Sequence, residues 1–309
     1  MTAFLDLFGK TPLTRRRAYW GLALVAPNVL GLLFFFGIPV VLAFRTSLLD
    51  WNGIRPPVEI GLGNFEHLLN DPAFWNAFGV TLKLLAVVIP IGMVLSLVVA
   101  LMLNRKLHGR SFFRVVYFLP VVTSTVAATM AWTWMFQPRY GLIANVLAPI
   151  GLQDLNWLTR PDLVLFPIAA VVIWQRLGFD MILFLAGLQA IPRQLYDAAR
   201  MDGADGIRMF RHITLPLLSP TTFLVLILQV ISAIQIFDQV YIMTARTTRG
   251  GMNDSATTLS LFLYETAFTN SDLGYSAAIA LAMFAITLLL TVAQITLQRR
   301  WVYYESGSE

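Results

Sequence analysis

LAGLQAIPRQLYDAARMDGADGIRMFRHITLPLLSP, residues 185–220, is the stretch from which the rest of the chain is read. Both of its ends run into long apolar segments, and its middle is polar. Pro192 opens a short helix, because a proline at a helix start gives up no intrahelical hydrogen bond. Tyr196, Asp197, Ala198 and Ala199 lie on that helix. After Asp202, Gly203 ends it with a left-handed turn leading to Ala204. Asp205 then caps a second helix that runs to about Ile213. Thr214-Leu215-Pro216 starts the next apolar run, with Pro216 and Pro220 near the helix start. The local structure is helix, glycine turn, helix. Small Ala198 and Ala199 let its backbone seat closely in a partner's groove; on the residues alone it is equally a tight connection.

Outward from this segment the chain is dominated by apolar runs. Of 309 residues, 57% are hydrophobic and only 13% are charged, about half the charge usage of a soluble domain. Six runs reach the roughly 20 residues that cross a hydrocarbon core. They are Tyr19–Phe44, Ala77–Leu103, Phe113–Phe136, Leu163–Leu188, Leu215–Met243 and Ala277–Leu297. The expected fold is an all-α membrane protein, one transmembrane domain over residues 1–309 surrounded by lipid. The first run follows Arg15-Arg16-Arg17 but is too long for a signal-peptide core, so it is expected to remain as an anchor.

Basic residues orient the spans. With the N-terminus inside, 14 of the 22 Lys and Arg fall in cytoplasmic segments, from Lys10 through Arg105, Lys106 and Arg193 to Arg300. Six lie outside, and only Lys83 and Arg176 lie within spans. This bias predicts that both termini are cytoplasmic. Pro90 and Pro120 lie inside spans and are expected to kink them.

Polar residues inside the runs are the candidate pathway. Arg176 and Asp180 are four apart on one helical face and can pair. Their charge requires that they face protein or water. The fifth run carries Gln229, Ser232 and Ala233 on one face, continuing to Gln239, with Gln235 and Asp238 adjoining. Such a stripe lines an aqueous cavity or joins helices by hydrogen bonds. Gln229, Ser232 and Gln235 offer hydrogen bonds to a polar solute, and Asp180 can cancel the charge of Arg176.

Other chemistries have little to work with. There is no cysteine, hence no disulfide and no thiolate metal site. No G-x-x-x-x-G-K-[S/T] loop or G-x-S-x-G elbow occurs. His67, His108 and His212 are scattered. No basic face with interleaved aromatics points to nucleic acid. The external segments Arg45–Asn76 and Thr244–Ser276 are too short to fold alone as a capture domain, though the second has room for a helix around Thr257–Phe268. On residues alone, Arg176, Asp180 and Asp238 are also the coupling charges that an ion-gradient-driven secondary transporter would use.

The 185–220 segment resembles the E-A-A…G………I-x-L-P signature of bacterial ABC-importer permeases, through Asp197-Ala198-Ala199, Asp202-Gly203-Ala204, Phe210, Ile213, Leu215-Pro216 and Pro220. Nearly the whole chain, from about Arg15 to Arg300, is similar to the carbohydrate-uptake permeases of the maltose and glycerol-phosphate type. Trp174, Gly178-Phe179, Leu185–Gln189, Ile191-Pro192, Phe237-Asp238, Tyr241, Thr244, Gly63-Asn64-Phe65 and Gly274-Tyr275 agree with that type.

The resemblance implies a type I importer permease fold with a cytoplasmic coupling helix, in a bacterial inner membrane. It implies a second homologous permease, two ATPase subunits that hold ATP and Mg, and an extracytoplasmic solute-binding protein. It assigns docking on the ATPase to Tyr196, Asp197, Ala198, Ala199, Asp202, Gly203 and Ala204. The substrate would be a sugar, oligosaccharide or polyol ester, passing Arg176, Phe179, Asp180, Gln229, Ser232, Ala233, Gln235, Asp238 and Tyr241. Two features depart from the family: Asp197 replaces a glutamate, and residues 245–249 intervene before Gly250-Gly251-Met252.

Overall fold

The computed structural model describes residues 12–105, 108–245 and 250–301, most of them helical. Lys10, Lys106 and the intervening Arg246, Thr247, Thr248 and Arg249 lie outside the described residues. Helix α1 (Pro12–Leu32), a π turn (Leu33–Gly37) and α2 (Ile38–Ser47) cover the first apolar run. Pro39 has no N–H to give the carbonyl of Phe35, which lies in that widened turn. A two-stranded ribbon follows, β1 (Leu49–Asp50) antiparallel to β2 (Val58–Glu59), then α3 (Gly63–Asn70).

The remaining helices are α4 (Pro72–Asn104), α5 (Arg110–Val122), α6 (Thr125–Met135), α7 (Leu142–Leu147) and α8 (Leu165–Ala190). After them come α9 (Arg193–Met201), α10 (Gly206–Met209), a π turn (Phe210–Thr214), α11 (Leu215–Leu217) and α12 (Ser219–Ile234). The chain closes with α13 (Asp238–Thr244), α14 (Leu259–Tyr264), the π turn Glu265–Thr269 and α15 (Leu273–Trp301). The last two short pieces occupy the place of the external helix expected around Thr257–Phe268.

Among the described residues four helical segments are long and apolar enough to cross a membrane on their own, and up to six if each of two bent pairs is one span. The bends are where the structure departs from the six straight runs. α5 and α6 meet at 99°. The helix passes through Pro120 and breaks at Thr123-Ser124, where Ser124 caps α6 by accepting from the Ala127 amide. α4 likewise continues through Pro90 as one helix. Residues 206–217 and α12 meet at 63°. There Pro220 has no N–H for the Pro216 carbonyl, and the Ser219 hydroxyl donates to it instead at 2.6 Å.

The fifth run is broken again after Ile234, and Phe237 has non-helical backbone angles. The carbonyls released by that break are taken up: Ser260 Oγ donates to Ile234 O at 3.0 Å and Thr258 Oγ1 to Ile236 O at 3.1 Å. An irregular backbone at membrane depth persists only when its polar groups are satisfied in this way.

The chain forms two compact units. The smaller comprises, of the described residues, 12–68 and 271–281. Within it Asn64 donates to the carbonyls of Ser47 and Leu49, both at 2.9 Å, and the amides of Leu273 and Gly274 donate to Trp51 O. His67 stacks on Tyr275 with ring centroids 4.5 Å apart. The Gly63-Asn64-Phe65 and Gly274-Tyr275 motifs thus meet on one ribbon, although they come from opposite ends of the sequence.

The larger unit has two apolar clusters. One contains Leu84, Val88, Ile168, Val172, Ile234 and Val240; the other contains Ala100, Met181, Phe184, Leu188, Leu218 and Val225. α8 is the most enclosed long helix: 56% of its most apolar window is buried, against 33% for α4. α4 buries Ala77, Val80, Leu84, Val88, Gly92, Ser96 and Ala100 at helical spacing while Ile91, Val94, Val98 and Met102 stay exposed. An exposed face of that composition calls for lipid or another subunit as its solvent. α5 crosses α8 at Gly178, where any Cβ would collide with the Tyr117 carbonyl oxygen. Gly178→Val is therefore expected to force α5 from α8 and cost about 1–3 kcal/mol, read as a lower thermal unfolding temperature in detergent.

Candidate functional site

Along α4, α8 and α12 a polar layer interrupts the apolar packing at Ser96, Arg176, Asp180 and Gln229. Asp180 and Gln229 are almost fully buried, at 1% and 2% exposure. Arg176 Nε approaches Asp180 Oδ2 at 3.4 Å, close enough for an ion pair but not aligned as a hydrogen bond. A terminal guanidinium nitrogen of Arg176 donates to Ser232 Oγ, and Gln229 Nε2 donates to Asp180 Oδ2 at 2.7 Å. Ser96 Oγ donates to the Leu177 carbonyl. Asp180 Oδ1 and Gln229 Oε1 are buried acceptors without a partner. Helices α8 and α12 are thereby joined by one carboxylate that binds both a cation and an amide.

Above this layer opens a cavity of about 460 Å³. Its walls include Arg176, Phe179, Gln229, Ser232, Ala233, Gln235 and Asp238, so seven of the nine sequence-predicted pathway residues border one space. Asp180 lies behind that wall as the counter-ion of Arg176. Tyr241 lies in an aromatic group beside it, stacked on Phe237 at 5.3 Å and edge-on to Tyr264 at 5.5 Å. The helical face projected from Gln229 to Gln239 ends at Ile234. It is the break at 235–237 that turns Gln235, Ile236 and Phe237 towards the same cavity as Gln239.

The sequence reading passed over Gln175 and Thr125. Gln239 Nε2 donates to Gln175 Oε1 and Gln175 Nε2 to Thr125 Oγ1, both at 3.0 Å, which closes a chain of amides across the cavity wall. Gln175 is a polar residue in an apolar run, a signal obscured by the charge beside it. Thr125 carries no such signal until the 99° bend brings α6 inward. The Arg176 guanidinium lies 5.7 Å from the Phe179 ring centroid, within cation–π range. Its charge is thus shared among a carboxylate, a hydroxyl and an aromatic face.

The turn at 192–214 opens as predicted, as helix, glycine turn and helix, but the second helix does not end near Ile213: a π turn (Phe210–Thr214) carries it into α11, and the bend comes only after Leu217. α9 ends in a Schellman arrangement, with the Ala204 amide donating to Ala199 O at 2.9 Å and the Gly203 amide to Arg200 O at 3.1 Å. Gly203 adopts φ 74°, a backbone that L side chains rarely take. Asp205 caps α10, its side chain accepting from the Arg208 amide at 2.7 Å. Tyr196 Oη and Thr214 Oγ1 lie 2.9 Å apart and tie α9 back to the start of the next helix. Asp197 pairs with Arg200 at 2.9 Å on the surface. Ala198 and Asp202 are exposed, and Met201 and Ile207, at 89% and 79% exposure, make the tip apolar. Lys83 is exposed on α4. On the loop before α8, the hydrogen bond from Arg160 holds the Asp162 carboxyl below its usual range.

Residues 65–303 match the family of binding-protein-dependent transport system inner membrane components. The chain belongs to that family. It is a multi-pass membrane protein and an importer permease subunit, and the family separates it from carriers driven by ion gradients alone. Similar proteins include the trehalose/maltose transport system permease protein MalF of Thermococcus litoralis, 33% identical over 92% of this chain and 95% of that one. The multiple sugar-binding transport system permease protein MsmF of Streptococcus mutans is 34% identical over 92% and 96%. The permease has the fold of a chain from a bacterial ABC transporter involved in the import of the acidic polysaccharide alginate, with a TM-score of 0.79 at 23% identity, covering 97% of this chain and 99% of the other. That fold is the type I importer permease fold. Among the described residues no group of three His, Asp or Glu side chains could hold a metal.

Removing one member of the polar layer tests its role. Asp180→Leu strips Arg176 of its counter-ion and is expected to cost about 3 kcal/mol, the lower end for a buried pair because Arg176 borders the cavity. Arg176→Met combined with Asp180→Leu recovers most of that loss. Thermal unfolding of the purified single and double variants measures both.

Proposed function

We propose that this permease forms half of the translocation pathway of an ATP-driven sugar importer. A second homologous permease supplies the other half, and two ATPase subunits supply the energy. An extracytoplasmic solute-binding protein delivers the cargo. The chain itself catalyses nothing in this reading. ATP and Mg belong to the ATPases, and α9 with the Gly203 turn seats on them. The placement is the bacterial cytoplasmic membrane with both termini inside, supported by 14 of 22 basic residues on that side of the spans.

The observation that carries the substrate class is the lining of the 460 Å³ cavity: Gln175, Gln229, Ser232, Gln235 and Gln239 beside Phe179 and Phe237. Amides and a hydroxyl exchange hydrogen bonds with sugar hydroxyls, and aromatic faces pack on the apolar faces of pyranose rings. Arg176 is already compensated by Asp180, and Asp238 adds a negative charge to the lining, so a neutral saccharide fits better than a phosphorylated polyol. The sugar transport named for similar permeases supports the same class.

Transport follows from alternation of two states. ATP binding closes the ATPase dimer and α9 moves with it; the chain joins α9 to α8 through Ile191-Pro192, and the Tyr196–Thr214 hydrogen bond ties it to the segment that leads into α12. A ligand shifts such an equilibrium only by its difference in affinity for the two states.

Two outcomes test this reading in proteoliposomes of the assembled transporter. Gln235→Ala and Gln239→Ala are each expected to raise the apparent KM for sugar uptake about two- to tenfold, the range for one lost hydrogen bond. Unchanged KM in both would remove the cavity from the pathway. Gly203→Pro and Ala198→Arg are expected to abolish uptake while membrane insertion stays normal, and uptake that survives in both would dismiss the docking role.

A further inference from the structure

At the other end of the same helices a second cavity, of about 940 Å³, bears no relation to the sugar-like lining. Arg110 and Arg114 of α5 and Arg193 and Arg200 of α9 border it, with Asn104 and Gln189 at the ends of α4 and α8. Among the described residues Asp197 is the one carboxylate in that lining, and it is paired with Arg200. Three guanidinium groups are therefore uncompensated by the residues that line the space. Arg114 is the most telling of them: its Nε and Nη2 are buried and have no hydrogen-bond partner. Buried guanidinium nitrogens are costly unless an acceptor meets them. α5 also begins here, at Gly109, with no side chain capping its first amides, so its positive end adds to the field.

A narrower groove of about 300 Å³ lies on the last turns of α4, lined by Val98, Leu101, Met102 and Arg105. It is apolar apart from Arg105, and Asn104 of the charged cavity is the adjoining residue. Exposed Phe112, Phe113, Val115 and Val116 continue the apolar surface on α5. A charged basin beside an apolar groove, at the end of membrane-crossing helices, matches one kind of ligand: an anion that carries acyl chains.

We propose that this cavity binds the phosphate of an anionic phospholipid, with Arg114 and Arg110 as its principal ligands and the acyl chains along Val98 and Met102. Guanidinium groups suit phosphate because their paired N–H donors match two of its oxygens. Arg193 and Arg200 extend the site onto α9, so the bound headgroup bridges the bilayer surface and the helix that carries the docking turn. This site needs only that these helix ends meet a bilayer surface, and it stands or falls apart from the sugar cavity.

The test uses the full chain purified with its partner subunits in nanodiscs of phosphatidylcholine with or without phosphatidylglycerol, followed by native mass spectrometry of retained lipid. Selective retention of phosphatidylglycerol is expected, reduced about five- to tenfold in Arg114→Gln and in Arg110→Gln, the factor for one basic residue at an anionic surface. Arg114→Lys, which keeps the charge, is expected to retain more than Arg114→Gln, and normal gel-filtration and unfolding profiles of Arg110→Gln exclude misfolding as the cause. Inorganic phosphate is the second probe: protection of the site by phosphate without retention of phosphatidylglycerol would assign it to a soluble anion and overturn the lipid assignment. Equal retention of the two lipids would also overturn it. So would loss of the ATPase subunits from Arg114→Gln at unchanged lipid retention, which would make the cavity a subunit contact.

Discussion

The carboxylate of Asp180 is the point on which the permease is organised. A charge at membrane depth has no water to solvate it, so the protein must provide partners from its own helices. Arg176 supplies the counter-charge from the same helix, and Gln229 reaches across from α12. Because one oxygen of Asp180 receives both, α8 and α12 are held in one register, with an apolar cluster on either side of the polar layer. The lateral position of these helices is specified by hydrogen-bond geometry, since apolar packing between helices in lipid has little directional preference of its own.

Two helix breaks convert this arrangement into a cavity. A straight fifth helix would have carried Gln235 and Asp238 around its axis at 100° steps. The break at 235–237 instead brings them into one wall with Gln229 and Ser232, and hydroxyls of Thr258 and Ser260 absorb the carbonyls that it releases. The 99° bend after Val122 brings Thr125 to the opposite amide, Gln175. At each break side-chain hydroxyls take up backbone groups, among them the carbonyls of Pro120, Ile234 and Ile236, which is the condition for an irregular backbone inside a bilayer. The cavity is a consequence of the breaks as much as of its side chains.

α9 faces two ways. Arg193, Tyr196, Asp197 and Arg200 are spaced three and four residues apart and border the basic cavity. Ala198, Met201 and Asp202 are exposed on its other side. The helix is tied by Tyr196 to Thr214 and closed by the Schellman turn at Gly203.

Much of this was legible in the order of residues. Apolar runs of membrane length, the Arg176–Asp180 spacing and the Pro192…Gly203…Asp205 punctuation are local properties, governed by helix period, capping and left-handed backbone, and they reappear at the expected positions. The places where helices stop are not local in that sense. Pro120 and Pro90 both lie within continuous helices, while the breaks fall at Thr123-Ser124, whose own hydroxyls meet the Pro120 carbonyl and the Ala127 amide, and at Gln235–Phe237, where hydroxyls of Thr258 and Ser260 take the freed carbonyls. Gln175 and Thr125 therefore became neighbours only in three dimensions, as did the four arginines of the basic cavity, which come from two helices separated by the whole of α6 to α8. The chain's order determined which segments are apolar and long enough to cross a membrane and set Arg176 beside Asp180; the tertiary structure alone decided which polar groups of different helices face one another, because Gln229, Ser232, Gln239 and Thr125 each meet a partner on another helix.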